Sequence, residues 1–208
     1  MQTLSEQIEQ KLNAVTHGIG AGLAIAALLL LSAAAADPGM RTLLQIYAVC
    51  QVILYLSSAL THVFYDMPGP YEVLRVIDQA AVYLLIAGTY TPVALGAVGG
   101  SAGWWMFALE WGMAAVGILA KSTLFRGSHL ATDLLYLPMG WLLLVFLGPV
   151  AAAVPAGMIV WMIAGGLCYT GGILFYLIKR IPMGHVFWHL AVIAGGSCFF
   201  TAFWRYLV

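Results

Sequence analysis

The chain has 208 residues, of which 63% are hydrophobic and only 8% are charged, and its formal net charge is zero. Its mean hydropathy is +0.97. Soluble domains usually carry about a quarter charged residues, so most of this surface cannot face water. The absence of a basic tract excludes a nucleic-acid-binding surface built on clustered lysine and arginine. Composition therefore predicts an all-α integral membrane protein surrounded by lipid.

Seven apolar runs are long enough to cross a bilayer, whose hydrocarbon core needs roughly 20 residues of helix. In chain order these runs are residues 15–36, 43–65, 76–98, 102–121, 130–150, 155–178 and 184–206. The short connections between them leave no room for a second domain. We predict one seven-helix transmembrane domain over residues 1–208, which begins with a short cytoplasmic segment at residues 1–14. The first run is then a membrane span and not a removable leader.

Lysine and arginine are divided unevenly between the two sides of this topology. The amino-terminal side has six, namely Lys11, Arg75, Lys121, Arg126, Lys179 and Arg180, and the opposite side has Arg41 and Arg205. Because short cytoplasmic loops collect positive charge, this distribution predicts a cytoplasmic amino terminus and an outer carboxyl terminus.

Glycines are frequent in the first and last runs. Gly18, Gly20 and Gly22 alternate in the first, and Gly195 and Gly196 are adjacent in the last. Small residues let membrane helices approach closely, so we expect these positions to be helix contacts.

Ionisable side chains are costly inside a membrane, and in this chain several of them fall at one depth. His62 lies near the end of the second run, Asp78 near the start of the third, and His185 and His189 in the first two turns of the seventh. Histidines four residues apart share a helix face and can chelate one metal ion. They cannot supply both axial ligands of a haem, since those approach from opposite faces of the ring.

A third histidine nitrogen, from His62, would complete a set of three protein ligands with a fourth position open. That is the pattern of a catalytic zinc site, although histidine also suits other divalent ions. The alternative is that histidines near the headgroups simply extend toward water.

Asp78 and Ser58 are the candidates for catalysis beside such a metal. Asp78 follows Arg75 by three residues, which also allows a surface ion pair, and Ser58 precedes His62 by four. A transmembrane serine commonly bonds back to its own helix, so spacing alone does not assign Ser58 a role. In the functional interpretation Asp78 orients or deprotonates the attacking water.

Four other polar residues have no assigned role. His17, at the predicted start of the first helix, is expected to order the amino-terminal segment, and His129 and Asp133 are expected to form a solvated helix end. Glu110 falls in the middle of a run, so its carboxyl should be protonated or hydrogen-bonded.

Four segments together resemble a known family. They are NAVTHGIG from Asn13, SSALTHVFY from Ser57, RVIDQAAVYLLIAGTYTP from Arg75 and HVFWHL from His185. These segments, in this order, resemble those of the haemolysin III proteins, the bacterial branch of the progestin and adipoQ receptor family. The resemblance covers nearly the whole chain and implies a seven-helix bundle in a bacterial cytoplasmic membrane.

The resemblance also implies a set of site residues. The zinc ligands of the adiponectin receptors match His62, His185 and His189, the aspartate that contacts their metal-bound water matches Asp78, and a nearby serine matches Ser58. This chain has no counterpart of the long amino-terminal region of the animal receptors, so a hormone-receptor role is not expected.

The family is grouped with alkaline ceramidases, which implies a zinc-dependent hydrolase acting on a lipid amide or ester near the cytoplasmic leaflet. Membrane lipids are the expected substrate or ligand, and the oligomeric state is open. The alternative is a zinc-binding protein that regulates the physical state of the membrane, or a cytolytic pore. Polar residues concentrated at one end count against a wide channel.

Overall fold

The structure is a computed structural model that describes residues 4–124, 130–178 and 180–208. These residues form helices and no strand, in the order α1 (Leu4–Ala34), α2 (Pro38–Val63), α3 (Pro68–Thr91), α4 (Gly100–Leu119), α5 (Leu130–Leu134), α6 (Tyr136–Gly140), α7 (Leu147–Ala153), α8 (Ala156–Leu177) and α9 (Gly184–Tyr206). Turns of π-helix continue α3 through Pro92–Val98 and α4 through Ala120–Leu124. The predicted all-α membrane architecture is confirmed.

Six of these helices are long and apolar enough to cross a membrane, and the predicted fifth span is not a continuous helix. Its two parts, Leu130–Leu144 and Leu147–Ala153, are bent by 55°. Pro138 and Pro149 cannot donate the backbone hydrogen bonds that a straight helix requires. The Tyr90 hydroxyl bridges the irregular part, because it donates to the Gly140 carbonyl at 2.8 Å and accepts from the Leu143 amide at 2.9 Å. This pairing replaces lost helical bonds where no water is available.

Helix α1 begins well before the predicted span, which started at residue 15. The polar sequence after Leu4 continues the same helix, so most of the predicted segment 1–14 is helical. One stripe of this part is apolar and exposed, comprising Leu4, Ile8, Leu12, Val15 and Ile19. On the other side of α1, Asn13 and His17 are buried against the bundle.

Helix α1 packs against α2 and α9, while α3 packs against α2 and α4, and α8 against α9. A Cβ atom added at Gly20 would lie 2.7 Å from the Tyr55 ring, and one at Gly196 would lie 2.8 Å from the Tyr55 hydroxyl. These glycines are close helix contacts, as predicted. The prediction is wrong for Gly18 and Gly22, which have no other atom within 4 Å of such a Cβ and lie on the exposed side of α1.

The two ends of the bundle differ in character. We call the end where α1, α3 and α9 begin the amino-terminal end, and it contains most of the buried polar side chains described below. Toward the opposite end, the main apolar core includes Leu31, Leu44, Met158 and Phe203, which are all buried. This difference places any polar chemistry at the amino-terminal end.

Candidate metal centre

Three histidines from two helices meet at the amino-terminal end. One ring nitrogen each from His62 of α2 and from His185 and His189 of α9 lie within 4.8 Å of one another. The ring centroids are 5.0 Å apart for His62–His185, 5.0 Å for His62–His189 and 4.7 Å for His185–His189. The corresponding planes are inclined by 70°, 66° and 67°, so the rings surround a common point almost symmetrically.

In two of these rings, the hydrogen bonds occupy one nitrogen and leave the other free to bind a metal. The Nδ1 atom of His62 donates to Gln10 Oε1 at 2.6 Å, and that of His189 donates to the Asn13 carbonyl at 3.2 Å. A neutral imidazole protonated at Nδ1 keeps its lone pair on Nε2. Both Nε2 atoms are buried without a hydrogen-bond partner among the described residues.

Buried polar atoms without a partner are rare in folded proteins, and each requires an explanation. A divalent ion that accepts histidine nitrogen, zinc among others, would satisfy both Nε2 atoms together. The donor set therefore fits a metal ion, and the geometry does not by itself select which one.

His17 belongs to this centre, although the sequence indicated only a role in ordering the amino-terminal segment. It lies within α1, and its buried ring stacks on that of His189 with a centroid distance of 3.5 Å and an angle of 5°. His17 is not one of the three residues whose ring nitrogens converge, so it packs against a candidate ligand and lies outside the candidate donor set.

Ser58 and Asp78 are placed together beside the histidines. Ser58 of α2 and Asp78 of α3 line the same cavity, so the two helices present a hydroxyl and a carboxyl to one space. Neighbouring Ser57 instead bonds back to the Leu54 carbonyl at 3.0 Å, the usual behaviour of a transmembrane serine. A position in the cavity wall, shared with Asp78, thus distinguishes Ser58 from Ser57.

A cavity of about 410 Å³ opens from this group into the bundle. Its wall includes all three histidines of the cluster together with Ser58 and Asp78. Farther along, the lining includes apolar and aromatic side chains, among them Leu85, Trp141, Val192 and Phe199. A concave, mostly apolar site with a few convergent polar groups is the usual form of a small-molecule pocket.

Asp133 is not part of a solvated helix end, so that prediction is wrong. It is 3% exposed and pairs with Lys121, whose side chain is fully buried. The Lys121 ammonium also lies 3.5 Å from Gln79 Oε1 and 5.7 Å from the centre of the Tyr136 ring. An ion pair stabilises both charges away from water, which explains why neither side chain reaches the surface.

The buried position of Lys121 also changes the charge count used for orientation, since this residue is not in a loop. Arg126 and Lys179 lie outside the described residues, as does His129. The cytoplasmic position of the amino terminus therefore stays a prediction.

Glu110 of α4 is fully buried, as its place in the middle of a run indicated. Neither carboxyl oxygen has a hydrogen-bond partner among the residues that the structure describes. The Glu110 carboxyl was expected to be either protonated or hydrogen-bonded, and the described residues supply no hydrogen bond to it.

Fold and site together define a polytopic α-helical membrane protein with a buried three-histidine cluster. Residues 6–200 match the model of a protein family described as "Haemolysin-III related". The chain is 36% identical to the Hemolysin-3 homolog of Bacillus subtilis (strain 168) over 211 aligned residues, covering 100% of this chain and 97% of the relative. It is 37% identical to Hemolysin-3 of Bacillus cereus, covering 92% of this chain and 89% of the relative. The chain belongs to the haemolysin III family.

Proposed function

We propose that this protein is a zinc-dependent membrane hydrolase that cleaves a lipid amide or ester at the cytoplasmic leaflet. The observation that carries the proposal is the convergence of three histidines, two of them with buried and unpartnered Nε2 atoms, on a cavity whose wall also holds Asp78 and Ser58. Three histidine ligands with one open position are typical of catalytic zinc, whereas structural zinc sites are usually closed by four protein ligands.

In this proposal His62, His185 and His189 hold the ion. Zinc, when bound, polarises the substrate carbonyl and makes water a stronger acid. Asp78 takes the proton of the attacking water while the water oxygen bonds to the carbonyl carbon. The carbon–nitrogen or carbon–oxygen bond then breaks, and Asp78 returns the proton to the leaving amine or alcohol. Ser58, which shares the cavity wall with Asp78, assists by donating a hydrogen bond to this carboxyl.

The cavity supports a substrate with an acyl chain. Polar groups line the histidine end, whereas Leu85, Val192 and Phe199 line the part farther into the bundle. A lipid carbonyl near the headgroup would then reach the histidines while its chain occupies the apolar part. Entry from the inner leaflet is consistent with the predicted cytoplasmic position of this end.

A second candidate is cytolytic activity, which the name of the Bacillus cereus relative, Hemolysin-3, suggests. A pore needs a polar lining through the full membrane depth. Against it, Leu31, Leu44 and Phe203 are buried in the apolar core toward the opposite end. Release of a dye from lipid vesicles by wild-type protein, unchanged in Asp78→Asn, would favour this candidate.

The proposal is tested by measuring fatty-acid release from acyl amides and acyl esters by protein purified in lipid nanodiscs. We expect Asp78→Asn to keep its metal and to lose about 10²–10⁴-fold in turnover, the usual contribution of a general acid–base group. Asp66→Asn makes the same chemical change at an exposed position and should leave turnover unchanged. Wild-type turnover in Asp78→Asn would remove Asp78 from the mechanism.

A further inference from the structure

One polar face of α1 contacts the histidine centre along its length. Its members recur every three or four residues, so they lie one above another on the helix. We call them the α1 polar face, which consists of Glu9, Gln10, Asn13, Thr16 and His17. The apolar stripe on the other side of α1 is exposed, so the two faces of the helix have separate environments.

Gln10 determines which nitrogen of His62 is free. Its Oε1 atom is an acceptor only, so the His62 Nδ1 atom 2.6 Å away carries the proton. The lone pair of that ring is then on Nε2, the buried atom without a partner. Partners of this kind, on the nitrogen opposite the metal, fix both the tautomer and the orientation of a histidine ligand.

Thr16 and Asn13 have the same relation to His189. The His189 Nδ1 atom lies 3.2 Å from the main-chain carbonyl oxygen of Asn13 and 3.2 Å from Thr16 Oγ1. Because the single proton of the Thr16 hydroxyl is shared between the main-chain carbonyls of Leu12 and Asn13, the hydroxyl oxygen remains free to accept from His189. The stacked ring of His17 then fixes the plane of the His189 ring.

Glu9 contacts the start of the helix that carries the other ligands. The amide of His185 donates to Glu9 Oε1 at 3.3 Å. Met183, at the N-cap position of α9, has a φ of 56° and makes no side-chain capping bond. A carboxylate at a helix amino terminus satisfies a free amide and interacts favourably with the helix dipole. Glu9 thereby anchors the first turn of α9, where His185 lies.

We infer that the α1 polar face is the outer shell of the metal centre, which orients all three histidines and selects the nitrogen that each of His62 and His189 presents. This inference rests on the proposed function in assuming that the histidines bind a metal. Its members are positioning residues, because they act through the ligands. Apolar packing of α1 alone would not require an acceptor opposite Nδ1 on both rings.

The test uses the full-length protein in detergent and measures two properties. The first is zinc affinity in competition with a chromophoric chelator, and the second is the visible absorption spectrum after cobalt substitution, which reports ligand geometry. Gln10→Ala is expected to weaken zinc binding about 10–100-fold, the usual cost of losing such a partner, and to change the cobalt spectrum.

Two further variants make the result specific. Gln10→Glu keeps an acceptor at the same place and should restore both the affinity and the spectrum. Gln45→Ala removes another hydrogen bond between α1 and α2, in which the Gln45 amide donates to the Ser32 hydroxyl at 3.1 Å near the other end of α1. This variant should bind zinc and give a cobalt spectrum as wild type does. If Gln10→Ala does not fold, Thr16→Val replaces it in the test, because valine preserves the size of the side chain. This variant is expected to lose less zinc affinity than Gln10→Ala.

The outcomes separate this inference from the proposed function. A wild-type protein that binds no metal would overturn both. Tight wild-type binding with wild-type affinity and spectrum in Gln10→Ala would overturn the outer-shell inference alone. Equal losses in Gln10→Ala and Gln10→Glu would also overturn it, because the acceptor would then have no role.

Discussion

The structure contains two buried polar clusters at the same end of the bundle, and they differ in how their atoms are paired. Lys121 and Asp133 carry opposite charges and contact each other directly. In the histidine centre, the Nε2 atoms of His62 and His189 are buried with no partner among the described residues, and one ring nitrogen of each lies within 4.8 Å of one of His185. The first cluster pairs its own charges, whereas the second leaves two buried nitrogens available to a metal ion.

The largest expected effect comes from breaking the ion pair of the first cluster. Lys121→Met leaves the Asp133 carboxylate buried without its cation, so we expect the free energy of unfolding to fall by about 3–5 kcal/mol. Unfolding of the detergent-solubilised protein in increasing concentrations of denaturing detergent measures this change. The folded fraction should still bind metal with wild-type affinity.

A double variant sharpens the result. Replacing Lys121 by Met and Asp133 by Leu removes both charges, and we expect most of the lost stability to return. A double variant as unstable as Lys121→Met would show that the pairing of the two charges is not what stabilises this region.

A smaller effect is expected where α1 packs beside the histidine centre. Gly20→Ala places a Cβ 2.7 Å from the Tyr55 ring, so we expect a loss of about 1–3 kcal/mol in stability from overpacking. Because the displaced helix carries the outer shell of the histidines, zinc affinity should fall as well. Gly18→Ala is the matched control, since nothing lies within 4 Å of its added Cβ, and both properties should be unchanged.

These clusters also show which features of the site and the fold can be predicted from the sequence alone. The histidine pair of α9 could be predicted because residues four apart share a helix face whatever the tertiary structure is. His62 followed from its depth along the second run, and the family resemblance agreed. The apolar runs located the six continuous spans, because a bilayer imposes a minimum length on each of them.

The features that the sequence did not predict depend on contacts between helices. Local spacing gives no indication that Gln10 meets His62, or that Lys121 pairs with Asp133, because each contact joins different helices. Charged side chains inside a membrane usually pair, and this rule could have suggested the contact between Lys121 and Asp133. It was not applied because Lys121 was assigned to a loop. Pro138 and Pro149 marked the break in the fifth span, but its form also depends on Tyr90 of α3, whose hydroxyl pairs with the Gly140 carbonyl and the Leu143 amide.

The central claim is that the histidine cluster binds a metal ion, and elemental analysis tests it most directly. Protein freshly purified without a chelator should contain about one zinc ion per chain. A variant with both His185→Ala and His189→Ala should lose that metal, whereas the Lys121→Met, Asp133→Leu variant should keep it. Wild-type protein without metal, or a double histidine variant that retains it, would contradict the account.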